Sequence, residues 1–247
     1  MSNQRQTSNG MDISLVICAH NEEKYIGACL DAAIQNSRGR FKEIIVVDNA
    51  STDKTAEIAR TKSGVRVVRE EKKGLTFARQ AGLEATNSEL VAYTDADTLL
   101  PVGWMDIVEG VFESPSVVSL SGPARYFDGS FIEDAVMGFF WRGIAPLTYR
   151  AVGYMVYGAN FVAKRSALLA IGGFDRSIEF YGEDTDIARR LATQGKSIFR
   201  ADFFIYTSAR RLQHEGLIRA NTTYAMNYLW PVLFKRPYHS THRDIRT

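Results

Sequence analysis

Residues 90–101 read LVAYTDADTLLP, an apolar run broken off by two aspartates and closed by a proline. Leu90-Val91-Ala92-Tyr93 has the composition of a strand buried on both faces. Along an extended chain alternate side chains share a face, so Asp95 and Asp97 are expected side by side at its end. Two carboxylates that close repel each other unless something positive lies between them. The identity of that positive group is the question the sequence sets.

Working outward, the same pattern recurs upstream. ISLVIC (13–18), EIIVVD (43–48) and VRVV (65–68) are short apolar runs, each followed by a helical pattern. NEEKYIGACLDAAIQN places Ile26, Cys29, Leu30, Ala33 and Ile34 on one helical face. STDKTAEIARTK opens a helix for which Ser51 or Thr52 is the expected cap, and FARQAGLEA continues a third. Alternation of strand and helix predicts an α/β fold, a mostly parallel sheet with helices on both faces. Ligands of such sheets bind outside the carboxyl ends of the strands. Those ends read His20-Asn21-Glu22, Asp48-Asn49 and Asp95-Ala96-Asp97, so polar and acidic residues collect at one edge.

The second half is less regular and rich in aromatic residues between 124 and 157. GYMVYGANFVAKRSALLAIGGFD predicts a strand, a short helix from about Lys164 and a Gly-Gly turn, and YGEDTDIARRLATQGKS predicts a helix ending before Gly195. Of the 247 residues, 45% are apolar and 23% charged, which is the balance of a soluble globular protein. Thirty basic residues against 28 acidic ones leave +2, giving no bulk case for a nucleic-acid partner. Cys18 and Cys29 fall in apolar settings and are read as buried reduced thiols, which points to a cytoplasmic location. The stretch MSNQRQTSNG has no apolar core of a signal peptide, so residues 1–11 are expected to be a disordered leader. No run approaches the roughly 18 apolar residues of a membrane span.

Each candidate site residue has a plain and a chemical reading. Asp95 and Asp97 are either turn aspartates or ligands of a hard divalent cation such as Mg²⁺ or Mn²⁺. Asp48 either caps the next helix or accepts a ring N–H of a base. Glu183 and Asp184 either favour a helix start through its dipole or supply a general base. Asp186 is expected to pair along the helix with Arg189 or Arg190. Arg210, Arg211 and His214 form either a solvated basic face or a phosphate clamp, with His214 as a third metal ligand better suited to Mn²⁺.

SLVICAHNEEKYI, IIVVDNASTDKT, GLTFARQAGL, AYTDADTLLP and GANFVAKRSALLAIGGFDRSIEFYGEDTDIARRL occur in that order. This chain resembles the family-2 glycosyltransferases over residues 12–214, enzymes of the GT-A fold that move a sugar from a nucleotide donor with inversion. The resemblance implies one domain over 12–247, with a nucleotide-binding half to residue 100 and an acceptor-binding half from 101. It implies that Ala19 and Glu22 line the nucleoside pocket, that Asp48 binds the base, and that Arg79 lies near the nucleotide and its phosphates. Asp95 is implied at the ribose or sugar, Asp97 at the metal, Asp184 as base with Glu183 beside it near the acceptor, and Arg210, Arg211 and His214 over the diphosphate. Asp48 suits uracil and hence a UDP-sugar, with a glycan, glycolipid or lipid carrier as acceptor. Processive members carry Q-x-x-R-W and membrane helices; RRLQHEG here implies a single hexosyl or N-acetylhexosaminyl addition, in envelope polysaccharide or glycolipid synthesis. Two rival readings are an inactive sugar-binding scaffold on this fold and a sugar nucleotidyltransferase. The latter carries a Gly-rich loop where this chain has CAHNEEKY. Finally, YAMNYLWPVLFKRPYH mixes rings with basic residues. It is read either as core or as a peripheral contact with the inner face of the cell membrane through Tyr228, Trp230, Leu233 and Phe234, with Lys235 and Arg236 at the headgroups.

Overall fold

The computed structural model describes residues 11–178 and 182–215. The leader, His214's side chain and the aromatic tail from Tyr224 onward therefore lie outside the described residues. Four strands form where the unbroken apolar runs stand: β1 (Ile13–Ala19), β2 (Glu43–Asn49), β3 (Val65–Glu70) and β4 (Leu90–Asp95). β1 pairs in parallel with β2 on one side and β4 on the other, and β2 pairs in parallel with β3. β3 is the sheet edge, and its residues are half-buried or exposed where those of β1 are all buried.

The helices between them are α1 (Ile26–Ser37), α2 (Thr55–Arg60) and α3 (Leu75–Ala85). Ile26, Cys29, Leu30 and Ala33 form the buried face of α1, while Ile34 turns outward at 37% exposure. The expected cap at Ser51 or Thr52 is not made, because α2 begins at Thr55 with Lys54 before it. Ser51 and Thr52 bind the neighbouring loop instead. α3 presses close on the sheet at Gly82, where a Cβ would lie 2.3 Å from Val16 Cγ1.

Beyond β4 the chain forms β5 (Thr98–Leu99), α4 (Trp104–Phe112), β6 (Val117–Ser121) and β7 (Ala124–Tyr126). Next come α5 (Phe131–Phe139), a π-helical turn (Phe140–Ile144), α6 (Ala145–Val152), β8 (Asn160–Lys164) and α7 (Arg165–Ala170). The last elements are α8 (Glu183–Leu191), β9 (Lys196–Phe199), β10 (Ile205–Thr207) and α9 (Arg210–Glu215). The main sheet has seven strands in the order β3-β2-β1-β4-β8-β6-β9, and a small sheet runs β5-β10-β7. β8 is antiparallel to both β4 and β6, so the sheet is mostly but not wholly parallel.

Apolar side chains fill both faces of the sheet. One layer joins Leu15 and Ile17 to Leu30, Trp104 and Val108; the other joins Val16 and Tyr93 to Leu83, Leu168 and Ile187. Asn160, at the start of β8, is buried with its amide satisfied: Trp104 Nε1 donates to Oδ1 at 3.0 Å and Nδ2 donates to Phe203 O at 2.8 Å. Cys18 and Cys29 are buried free thiols, and Cys29 donates to Asp95 O at 3.6 Å. Among the described residues no helix is long and apolar enough to cross a membrane.

Candidate active site

The loops after β1 and β2 are laced together by their own polar residues. Asn21 takes a positive φ of 52°, and its Oδ1 accepts the Thr52 N–H at 2.9 Å. The Glu22 N–H donates to Thr55 Oγ1 at 2.7 Å, and the Glu23 N–H to Asp53 Oδ2 at 3.0 Å. Buried Asp48 accepts the Ser51 N–H at 3.2 Å on one oxygen and Arg69 Nη1 at 2.6 Å on the other. It therefore caps the turn that precedes α2. Ala19 ends β1 with its methyl in the core layer of Ile26 and Cys29. Asn49, noted in the sequence only as a polar strand end, has a bridging role. Its amide binds Glu70 O and Lys72 O, and its Oδ1 accepts the Gly74 N–H at 2.8 Å, which fixes the loop entering α3.

β4 stops at Asp95, and Ala96-Asp97 turn away from the strand, so alternation along an extended chain no longer applies there. Each carboxylate meets its own arginine. Arg79 Nη2, from α3, lies 3.7 Å from Asp95 Oδ1, and Arg210 Nη2, from α9, lies 2.8 Å from Asp97 Oδ2. Neither arginine is a sequence neighbour, which is why the local sequence offered no partner for Asp97. Arg210 also pairs with buried Glu22 and lies over the Tyr25 ring, 4.7 Å from its centroid. Burial works against the Arg210 cation, but Asp97 and Glu22 outweigh it and hold its pKa above the usual range.

The small sheet brings Arg210 to this point. β10 pairs antiparallel with β5, immediately after Asp97, and the Ser208 N–H donates to Asp97 O at 3.3 Å. Asp128 then accepts both Ser208 Oγ and the Ala209 N–H at 2.6 Å, anchoring the entry to α9. Arg211 follows on α9 and is half-buried. Among the described residues no three His, Cys, Asp or Glu side chains converge as a closed metal site. Asp95 at 39% side-chain exposure and Asp97 at 15% instead form an open two-carboxylate edge.

The third part of the site is built on Arg79. Its side chain is 2% exposed, and the guanidinium pairs with Glu183 at the start of α8 as well as facing Asp95. Burial pushes Glu183 up to about 7, against the lowering pull of Arg79. Arg79 itself stays charged, because Glu183 and Asp95 outweigh the cost of burying it. Half-buried Asp184 accepts the Thr185 N–H at 2.8 Å. Burial raises its pKa, while the charge of Arg79 and the N–H groups of Thr185 and Gly158 hold it back. Asp186 pairs with Arg189 at 2.9 Å and Arg190 at 2.7 Å, as the helical spacing predicts. The site thus joins strand-end carboxylates on one side to a carboxylate of raised proton affinity on the other.

The profile described as Glycosyl transferase family 2 matches residues 14–172. Over 94 residues the chain is 36% identical to a dolichyl-phosphate hexose transferase of Haloferax volcanii, a stretch covering 38% of this chain and 40% of that one. The chain spans 26% to 40% of the length of three curated relatives it matches. The mannosyltransferase PcManGT of Pyrobaculum calidifontis, solved with GDP-Man and Mn²⁺, superposes with a TM-score of 0.71 at 21% identity, covering 92% of this chain and 65% of that one. Glucosyl-3-phosphoglycerate synthase of Mycobacterium tuberculosis, solved with Mn²⁺, UDP and phosphoglyceric acid, gives 0.62 at 22% identity, covering 90% and 78%. These likenesses place the fold among the GT-A glycosyltransferases. By the match over residues 14–172, the chain belongs to glycosyl transferase family 2.

Proposed function

We propose that this chain, as one catalytic domain over residues 12–247, transfers a single sugar from a nucleotide-sugar to an acceptor hydroxyl with inversion. The observation that carries the reading is the junction of the Asp95–Asp97 edge with the α8 start that bears Asp184. In this reading Asp184 takes the proton of the acceptor hydroxyl as its oxygen attacks the anomeric carbon. The bond to the diphosphate breaks on the opposite face, so the configuration inverts and no covalent enzyme intermediate forms. Burial, by raising the proton affinity of Asp184, favours that role.

Asp97 and Asp95 suit a hard divalent cation in kind, since both offer carboxylate oxygens, and phosphate oxygens of a donor would complete its shell. The Arg210 guanidinium beside Asp97 marks a point where positive charge is held. When bound, Mn²⁺ or Mg²⁺ would offset the charge that builds on the leaving diphosphate. Two solved neighbours carry GDP-Man or UDP with Mn²⁺, and one relative is named dolichyl-phosphate hexose transferase. We favour a UDP-sugar donor, with hexose or N-acetylhexosamine as the sugar. A glycan or lipid-linked acceptor would be met in the cytoplasm or peripherally at the inner membrane face.

Incubating the purified chain with Mn²⁺ and a panel of UDP- and GDP-sugars tests this directly. Metal-dependent release of the nucleoside diphosphate with transfer is expected. Asp184→Asn should lower transfer by roughly 10² to 10⁴-fold and leave nucleotide affinity near wild type. Binding without any turnover would return the inactive-scaffold reading.

A further inference from the structure

Arg79 is among the largest side chains that the fold encloses. A guanidinium taken out of water is tolerated only when it is well paired. Here one nitrogen pairs with Glu183 and another lies 3.7 Å from Asp95. Asp95 ends β4 at the rim of the site, whereas Glu183 opens α8 directly before Asp184. One cation thus touches both the strand end of the acidic edge and the helix start that holds the base.

Gly158 completes the arrangement. A Cβ there would lie 2.5 Å from Arg79 Nη2, 2.8 Å from Nη1 and 2.9 Å from Glu183 Oε1, so the backbone lies flat against the ion pair. Guanidinium, Gly158 backbone and Glu183 therefore form one packed unit, directly before Asp184 in the chain.

We propose that Arg79 is a positioning residue, which sets Asp184 in relation to Asp95 and touches neither the donor phosphates nor the acceptor. The inference rests on the transferase reading of the site. Without the guanidinium, the tie between the strand end at Asp95 and the start of α8 at Glu183 would be lost, and the first turn of α8 would shift. Displacement of a reacting group by about 1 Å costs about a hundredfold in rate. An arginine that gripped phosphate would behave differently, since its loss would weaken nucleotide binding.

The experiment compares wild type, Arg79→Gln, Arg79→Lys and the double variant Arg79→Gln/Glu183→Gln. Calorimetry with UDP and with GDP, each in Mn²⁺, is set against kcat and KM for transfer. Arg79→Gln should lose about a hundredfold in kcat while nucleotide affinity stays within about threefold of wild type. Arg79→Lys should recover part of kcat, because it keeps the charge but not the fork that reaches two carboxylates. If Arg79→Gln does not fold, the double variant, which removes the stranded partner charge as well, carries the same readings. Nucleotide affinity that falls in step with kcat in either variant would make Arg79 a phosphate ligand and overturn the proposal. A wild-type chain that neither binds nor turns over any nucleotide-sugar would remove the transferase reading and this inference with it.

Discussion

Glu183 is a carboxylate pulled in opposite directions by burial and by Arg79, and burial prevails, taking its pKa from 4.5 to about 7. A folded-state pKa above the unfolded one means that the fold favours the protonated form. The stability from this group is fully present below about pH 4.5 and is lost as pH rises through about 7. Melting temperatures of wild type and Glu183→Gln, taken from pH 4.5 to 8, should therefore diverge, with wild type losing ground as pH rises. Asp184 slopes the same way but is present in both proteins, so it cancels in the comparison. A difference that held constant across the range would count against the buried, desolvated state of Glu183. The sequence showed Glu183 and Asp184 as a pair at a helix start, and that was legible because helix starts favour acids. The Arg79–Glu183 contact was not legible, since it joins two helices far apart in the chain and no local spacing encodes it. Its only trace is Gly158, one glycine among several in that stretch.

The first four strands were legible as elements, because strands buried on both faces read as unbroken apolar runs. The connection through α5, the π-helical turn and α6 was not. Phe131, Ala135 and Phe139 recur at helical spacing, but none of the residues from Phe131 to Ile144 is buried, so the stripe corresponds to no core face. The available signal was Ser130 with Glu133 three residues later, which form a reciprocal capping box. β5, β7 and β10 are two or three residues long, too short for any alternation to register. Yet this small sheet carries α9 to the acidic edge and sets Arg210 on Asp97. A divalent ion bound at Asp97 must compete with that guanidinium. Arg210→Gln is predicted to bind Mn²⁺ about tenfold more tightly than wild type when no nucleotide is present, as read by the loss of free Mn²⁺ signal in EPR. Unchanged affinity would place the metal away from Asp97 Oδ2.

Taken whole, the molecule carries a near-neutral charge and an apolar face that the described residues leave uncovered: Phe131 is 88% exposed, with Ile132, Phe139 and Leu147 also largely open. If a membrane surface is the place of work, the full chain should sediment with anionic liposomes and a version cut before Tyr228 should remain in solution. Sedimentation of both would move the contact from the tail to the α5–α6 face, and sedimentation of neither would remove the membrane contact. The chain leaves β6 at Ser121 and re-enters the sheet at Asn160, with β8 running back against β6. The exit and return are stapled: Ser121 Oγ donates to Asn160 O at 2.7 Å and accepts the Tyr157 N–H at 2.9 Å. Everything from residue 122 to 156 is thus a detour whose two feet stand together, and lengthening such a loop costs little because closure entropy grows only slowly with its size. Beyond β7 and Asp128, which the small sheet and the entry to α9 require, the detour works as an exchangeable cassette: residues 129 to 154 can be rewritten while the strand register beneath the acidic edge stays as it is.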